Sequence, residues 1–422
     1  RFPEHRQDGA ALSRCYLAAL PVTVRTYDKK HTPMTQTLTP REILDTLVSF
    51  PTVSSDTNVP LIDWVEEYLS AHGIDCHRYW HESEPKAALF AHVGPWEEGA
   101  VVLSGHTDVG PVEGQPWTTD PFTVTERDGK LYGRGTCDMK GFDALAIWAM
   151  VEAKAHGVAR PLQIALSFDE EVGCIGAPPM IEAMQPVLPK GSAVIVGEPS
   201  MMEAVTGHKG GQGWTVKVKG FEVHSSLLPT GVSAVLEAAK VIEWVNRTNA
   251  ANMSRELGEV DALFDPPFTT VHVGRIHGGT ARNITAKDCW FDIEMRVVPG
   301  EKKTDYRDAF FAAVAEVECG MKAIRPETEI ELDPLFSVEG LKPEHEGEAE
   351  ALVRSITGDN GTHVVSYGTE AGHFQSAGYS AGICGPGSIT QAHQPDEFIA
   401  VEQFEAGQAF MEKLLGRLRQ EG

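Results

Sequence analysis

The sequence predicts an α/β protein in which a layered sandwich domain is interrupted by a smaller α+β domain. Three observations carry this. From about 38 to 205, helical and strand-like segments alternate, as the βα units of a layered sheet do. Around 206 the character changes to "GWTVKVKGFEVHSS", apolar and polar in turn, the pattern of a sheet with one solvated face. After about 335, short strands and glycine-rich loops return.

Taken in order, "TPREILDTLVSF" is an amphipathic helix with Thr39 as cap and Pro40 in its first turn. Residues 60–72 read as a helix, 86–93 and 100–104 as strands, and 140–156 as a helix. A buried strand at 162–168, a helix at 177–185 and the short buried strand "SAVIVG" (192–197) follow. The inserted part carries a helix at 231–247, a strand pair at 269–276 and 287–298, a helix at 303–319 and the alternating "TEIELD" at 328–333. Helices at 344–357 and 401–419 complete the chain. The expected divisions are 38–206, 207–335 and 336–422. Residues 1–33 show neither clear periodicity nor a proper signal peptide, and are expected to be a tag, an over-long start assignment or a loose tail.

The 422 residues suffice for about two domains with substantial cores. A formal charge of −24 argues against a nucleic-acid partner, which would want a basic face. No apolar run approaches the ~20 residues that span a bilayer. The seven cysteines are odd in number, scattered and without C-x-x-C spacing, which points to reduced thiols in a cytoplasmic protein.

The chemistry gathers at strand ends. "SGHTDVGPVEGQPW" (104–117) stops an apolar run with His106 and Asp108 and then enters an irregular loop. The strand at 162–168 is followed by Asp169, Glu170 and Glu171, and "SAVIVG" by Glu198. In open α/β sheets the crevice beyond the carboxyl ends of the strands is where ligands bind. "YGRGTCDMKG" (132–141) adds Asp138 in a glycine-rich turn before a long helix. Taken singly, Asp138 could cap that helix, the "DEE" run could be a solvated patch and His106 a satisfied polar residue. Together they crowd carboxylates that repel unless a cation neutralises them. Mixed imidazole and carboxylate donors suit zinc or a similar divalent ion. In His106-x-Asp108 the aspartate is placed to accept the ring N–H of a metal-bound histidine, fixing its tautomer.

"SGHTDVGPVEGQPWTTDPF", "LYGRGTCDMKG", "FDEEVGCIGA" and "VGEPS" resemble the co-catalytic zinc amidohydrolases and metallopeptidases, a family that includes succinyl-diaminopimelate desuccinylase, glutamate carboxypeptidase and aminoacylase. The resemblance runs from about Leu38 to the C-terminus and leaves residues 1–37 unmatched. It implies a three-layer α/β/α catalytic domain and an inserted ferredoxin-like domain that serves as lid and dimer interface. It also implies two divalent ions, most readily Zn2+ with Co2+ as a substitute. His106 and Glu198 would hold one ion, Glu171 and His393 the other, and Asp138 both, with a cis peptide at Asp138–Met139. Glu170 would be the general base. His224 of "GFEVHSS" would stabilise the oxyanion in the partner subunit's site. Asn283, Arg296, Gly368 and Thr369 would contact substrate, and Glu370 is the candidate for a substrate's side-chain ammonium. Within the family, the resemblance points to removal of acetyl from N2-acetyl-L-ornithine, a step of arginine synthesis. A related N-acyl amino acid hydrolase and a catalytically silent binding protein on the same fold are the alternatives.

Two further signals are set aside. "GHKGGQG" (207–213) lacks the spacing of a phosphate-binding loop and is expected to be an interdomain turn. Cys137 has no paired base and is expected to be a packed thiol.

Overall fold

The computed structural model describes residues 35–420. The expectations for residues 1–33 lie outside these described residues.

The first helix, α1 (Pro40–Val48), is capped as its sequence requires. Thr39 Oγ1 accepts the N–H of Glu42 while the Glu42 carboxylate accepts the N–H of Thr39. α2 (Val59–Ala71) leads into β1 (Cys76–Trp80), β2 (Ala87–Val93) and β3 (Ala100–His106). The short β4 (Thr125–Arg127) and β5 (Lys130–Tyr132) precede α3 (Lys140–His156). Then come β6 (Leu162–Ser167), α4 (Ala177–Met184), β7 (Gly191–Pro199) and β8 (Val205–His208). β9 (Gly210–Lys219), α5 (Ala234–Ser254), β10 (Thr270–Gly278), β11 (Asp288–Val297), α6 (Lys303–Ile324) and β12 (Glu329–Val338) follow without interruption by the first sheet. The chain ends with α7 (Glu348–Thr357), β13 (His363–Val365), α8 (Ala371–Ser376), β14 (Ser380–Gly385), β15 (Phe398–Ala400) and α9 (Val401–Leu418).

Eight strands form one mixed sheet in the order β1-β2-β6-β3-β7-β14-β8-β13. Its centre, β6-β3-β7-β14, is parallel. Strand alternation divides the core. Leu89, Ala91, Val101, Leu103, Ile164 and Ile195 pack with α1, α2, α3, α7 and α9 on one face. Phe90, Val102, Ala165, Val194 and Val196 pack with α4 and α8 on the other. Helices on both faces of a mostly parallel sheet make the three layers.

β9 to β12 form a separate antiparallel sheet in the order β10-β11-β9-β12. Together with α5 and α6 the chain order is βαββαβ, the ferredoxin-like arrangement. Val216 and Val218 on β9 and Phe291, Ile293 and Met295 close a core against Val241, Val245, Phe310 and Val314 of the two helices.

Three differences from the sequence expectation bear on how the second sheet is joined to the first. The expected helix at 231–247 begins only at Ala234, after a 3-10 turn containing Pro229, and continues to Ser254. It extends because Asn249 and Asn252 donate to the carbonyls of Val271 and Thr269, which anchors the helix end to β10. β12 runs to Val338, so a division at 335/336 cuts through a strand. "GHKGGQG" is no turn: it is the end of β8 passing into β9. His208 pairs with Leu341 as the chain crosses out and back. A Cβ on Gly210 would lie 2.8 Å from Gly340 N, so glycine is what lets the two crossings touch.

Candidate metal centre

The parallel strands β6, β3 and β7 deliver their carboxyl ends to one side of the sheet, and His106 and Glu198 stand on the last residues of β3 and β7. Asp138 sits in the loop before α3, and the Asp138–Met139 peptide is cis. Glu170 and Glu171 follow β6, and His393 lies in the loop before β15.

Asp138 is the centre of the group. Its Oδ1 is 3.0 Å from His106 Nε2, and its Oδ2 is 3.3 Å from His393 Nε2. Glu198 Oε1 lies 3.7 Å and Glu170 Oε2 4.0 Å from the same His106 nitrogen. Glu171 Oε2 is 2.6 Å from His393 Nε2. Two triads with donor atoms within 4.8 Å of one another result, His106 with Glu170 and Glu198, and Asp138 with Glu171 and His393.

Electrostatics marks this as a place built for positive charge. Burial pushes Glu198 well above the usual carboxylate range. Burial, reinforced by Glu171 and Asp138, pushes Glu170 up to about 8. For Asp138 burial disfavours the charge, but hydrogen bonds from His106 and His393 hold it below its ordinary value. Glu171 Oε1 and Glu198 Oε1 are buried without a hydrogen-bond partner. Orphaned carboxylate oxygens beside two imidazoles fit divalent cations, which would supply the missing partners.

The loop around the centre is cross-braced. Glu397 Oε1 accepts the N–H groups of Gly135, Cys137 and Asp138 at 3.0, 3.0 and 3.1 Å. Its Oε2 takes Arg134 Nη1 at 2.7 Å, in a pair with almost no solvent exposure. Arg134 Nη2 continues to Gln115 Oε1 at 2.7 Å, and Gln115 Nε2 donates to the carbonyl of His393 at 2.9 Å. Trp117 donates to the same Gln115 oxygen and lies under the Arg134 guanidinium. The irregular loop after β3 therefore reaches across to hold His393. Arg134 and Glu397 were missed from sequence; a buried charge of each sign beside a metal motif is the signal, but burial is visible only in the fold.

Several expected residues are placed differently. The ring Nδ1 of His106 meets the backbone oxygen of Asp108 at 2.9 Å, while the Asp108 carboxylate is 3.5 Å away. That carboxylate instead accepts the N–H groups of Glu170 and Glu171 and the hydroxyl of Ser54. Glu370 is 1 % exposed, and its carboxylate accepts the hydroxyls of Ser104 and Ser167. With its carboxylate committed to two serines within the sheet, Glu370 does not line the cleft formed by Asp138, Glu170, Arg296 and Gly368. Thr369 is buried and accepts the N–H of Ala371, away from the cleft wall. Arg296 and Gly368 do line the cleft. His224 and Asn283 are exposed on the second sheet's side, with His224 Nδ1 at 2.8 Å from Ser226 Oγ, and neither lines the cleft of its own chain. Cys137 is a packed thiol, 1 % exposed, with Sγ 3.4 Å from the Ser388 carbonyl.

The cleft itself has a volume of about 460 Å³. It is lined by the carboxylate cluster with Cys174, by Arg296, Phe336 and Val338 from the second sheet, and by Tyr367 and Ile389.

Residues 102–417 match the model of the peptidase family M20/M25/M40. The chain belongs to this family. It is accordingly a hydrolase. The acetylornithine deacetylase of Myxococcus xanthus is 34% identical over 367 residues, covering 86% of this chain and 93% of that protein. That of Pasteurella multocida is 31% identical over 391 residues, covering 89% and 97%. Among solved structures, an M20 family metallo-carboxypeptidase from Sulfolobus solfataricus shares the fold with a TM-score of 0.71 at 16% identity, covering 90% of this chain and 99% of that one. A tripeptidase from Staphylococcus aureus superposes with a TM-score of 0.69 at 17% identity, covering 92% and 100%.

Proposed function

We propose that the protein removes the acetyl group from N2-acetyl-L-ornithine, giving L-ornithine and acetate, as a dinuclear metal-dependent amidohydrolase. The observation that carries this is the pair of adjoining imidazole–carboxylate triads in a chain that aligns with acetylornithine deacetylases over most of its length.

In this reading His106 and Glu198 hold one ion, Glu171 and His393 the other, and Asp138 both. Zn2+ suits the mixed nitrogen and oxygen donors, and Co2+ can take its place. When bound, the ions polarise the amide carbonyl and make water nucleophilic near neutral pH. Glu170 is the general base: its Oε2 faces His106 and takes the proton of the attacking water, then returns it to the leaving amine. A carboxylate in this position can both accept the proton and give it up. Arg296 and Gly368 on the cleft wall receive the substrate's carboxylate, for which the planar guanidinium is suited.

The exposed His224 and Asn283 are proposed to complete a partner subunit's site in a homodimer formed through residues 207–335. We place the enzyme in the cytoplasm, on its scattered thiols, and in arginine biosynthesis, on its relatives. Among the described residues no helix is long and apolar enough to cross a membrane.

A second reading is favoured by one observation: among the described residues, the acids lining the cleft are Asp138, Glu170, Glu171 and Glu198, all belonging to the cluster. Among the described residues that lining offers no separate acid for a side-chain ammonium, and a related N-acyl amino acid hydrolase, such as a desuccinylase or aminoacylase, fits it. Steady-state kinetics of the Zn2+- or Co2+-loaded protein on acetylornithine, succinyl-diaminopimelate and acetylmethionine decides between them. A preference for acetylornithine supports the proposal; a preference for another substrate transfers it, and no hydrolysis of any leaves a silent binding protein.

A further inference from the structure

The carboxylate of Glu170 is held by a group that the metal chemistry does not use. After β6 the chain folds back on Glu170: the N–H groups of Gly173 and Cys174 both donate to its carbonyl, at 2.9 and 2.8 Å. Its own N–H goes to Asp108 Oδ1 at 3.1 Å. This backbone wrap brings the Cys174 side chain over the Glu170 carboxylate, with Sγ 3.1 Å from Oε1.

Cys174 occupies this place at φ +55°, in the left-handed region that a Cβ disfavours and that glycine fills more readily. It is 2 % exposed, yet it lies on the cleft wall rather than deep in the core. Burial, with the charge of Glu170 next, keeps the thiol protonated and hence a donor. The two oxygens of Glu170 are therefore unequal. Oε1 has the thiol, whereas Oε2 stands 4.0 Å from His106 Nε2 on the side of the cluster. The contrast with Cys137 is instructive. Cys137 neighbours Asp138 in sequence but turns its Sγ to the Ser388 carbonyl, while Cys174, four residues from Glu170, reaches the carboxylate itself.

We infer that Cys174 is a positioning residue for Glu170, its S–H donating to Oε1 and so leaving Oε2 as the oxygen that exchanges the proton with water and leaving amine. This rests on the reading of Glu170 as general base. A donor on one oxygen stops the carboxylate from rotating and fixes which oxygen is free, at no cost to the metal donors. The requirement is for a short donor, not for sulfur, so a serine hydroxyl satisfies it.

The test uses the full chain loaded with metal and assayed on acetylornithine, with metal content and melting temperature measured for each variant. Cys174→Ala is expected to lower kcat by about tenfold or more, the scale of one hydrogen bond to a charged group, with KM changed less than about twofold and metal content unchanged. Cys174→Ser is expected to recover most of the lost rate. Cys174→Gly relieves the left-handed backbone, so it is expected to melt no lower than the alanine variant and yet to be as slow. Alanine and glycine variants with the wild-type kcat overturn the inference, and so does a serine variant as slow as alanine. Glu170→Gln separates the two layers. If it turns over normally, the general-base reading fails and takes the role of Cys174 with it. If it is inactive while Cys174→Ala is as fast as wild type, only the positioning role is lost.

Discussion

The carboxylate of Asp108 accepts the backbone N–H of Glu170 at 3.1 Å. The other Asp108 oxygen takes the N–H of Glu171 at 3.3 Å and the Ser54 hydroxyl at 2.7 Å. One side chain at the end of β3 thus sets the turn after β6, and with it the spacing between the proposed base and the neighbouring metal donor. Asp169, the first acid of the run, faces away and pairs with Lys86 at 2.8 Å.

From this follows the behaviour of Asp108→Asn. The amide keeps the shape but turns a donor toward a backbone donor, which loosens Glu170 and Glu171 together. The expected result is a fall in kcat/KM of about 10- to 100-fold, the cost of one or two buried hydrogen bonds to a charged group. Steady-state kinetics with metal analysis checks it, and an unchanged kcat/KM contradicts it.

Glu397 carries the loop of Asp138. Glu397→Ala leaves Arg134 buried and unpaired and three N–H groups without an acceptor. A loss of about 3–5 kcal/mol of stability is expected, as for other broken buried pairs. Because Asp138 belongs to one triad and touches His106 of the other, metal affinity is expected to fall with it. Denaturant unfolding and metal titration measure the two effects separately.

His208 makes stability sensitive to acid. Burial lowers its pKa from 6.5 to about 4, against which its hydrogen bond to the Lys209 carbonyl pulls only weakly. Its Nε2 accepts the N–H of Gly372, so the ring must remain neutral to join β8 to α8. The neighbouring His373 is likewise lowered to about 4 by burial. Between those values the unfolded chain binds more protons than the native one. The contribution of these histidines is therefore full above about pH 6.5 and declines as pH falls toward 4, with up to about 3 kcal/mol from His208 alone. Unfolding free energies at pH 7 and pH 5 are expected to differ less in His208→Gln than in wild type.

Removing metal leaves Glu171 and Glu198 with orphaned oxygens in a buried, mutually repelling cluster. Chelation is expected to lower the melting temperature, and added Zn2+ or Co2+ to restore it in proportion to the logarithm of free metal. Calorimetry across a metal titration checks this.

The proposed donors are legible in the sequence because each sits where a local pattern changes. His106 and Glu198 end buried strands, Glu171 follows one, and Asp138 opens a helix. What stayed hidden depends on distant partners. Gln115 reaches His393, and Arg134 reaches Glu397, each more than two hundred residues away in the chain. That Glu370 faces two serines of the sheet is likewise invisible in sequence, which does not reveal which wall of a loop faces a cleft. The short β8, β13 and β14 carry too few residues for periodicity to register, and their pairing is made by the fold.

The central claim is that Glu170 moves the proton while His106, Asp138, Glu171, Glu198 and His393 hold metal. Glu170→Gln, assayed for turnover of acetylornithine and for bound metal in the same preparation, tests it most directly. The account predicts a loss of kcat of about a thousandfold or more with the metal content of the wild type. Lost metal would make Glu170 a ligand, and retained turnover would remove it from the chemistry; either result contradicts the account.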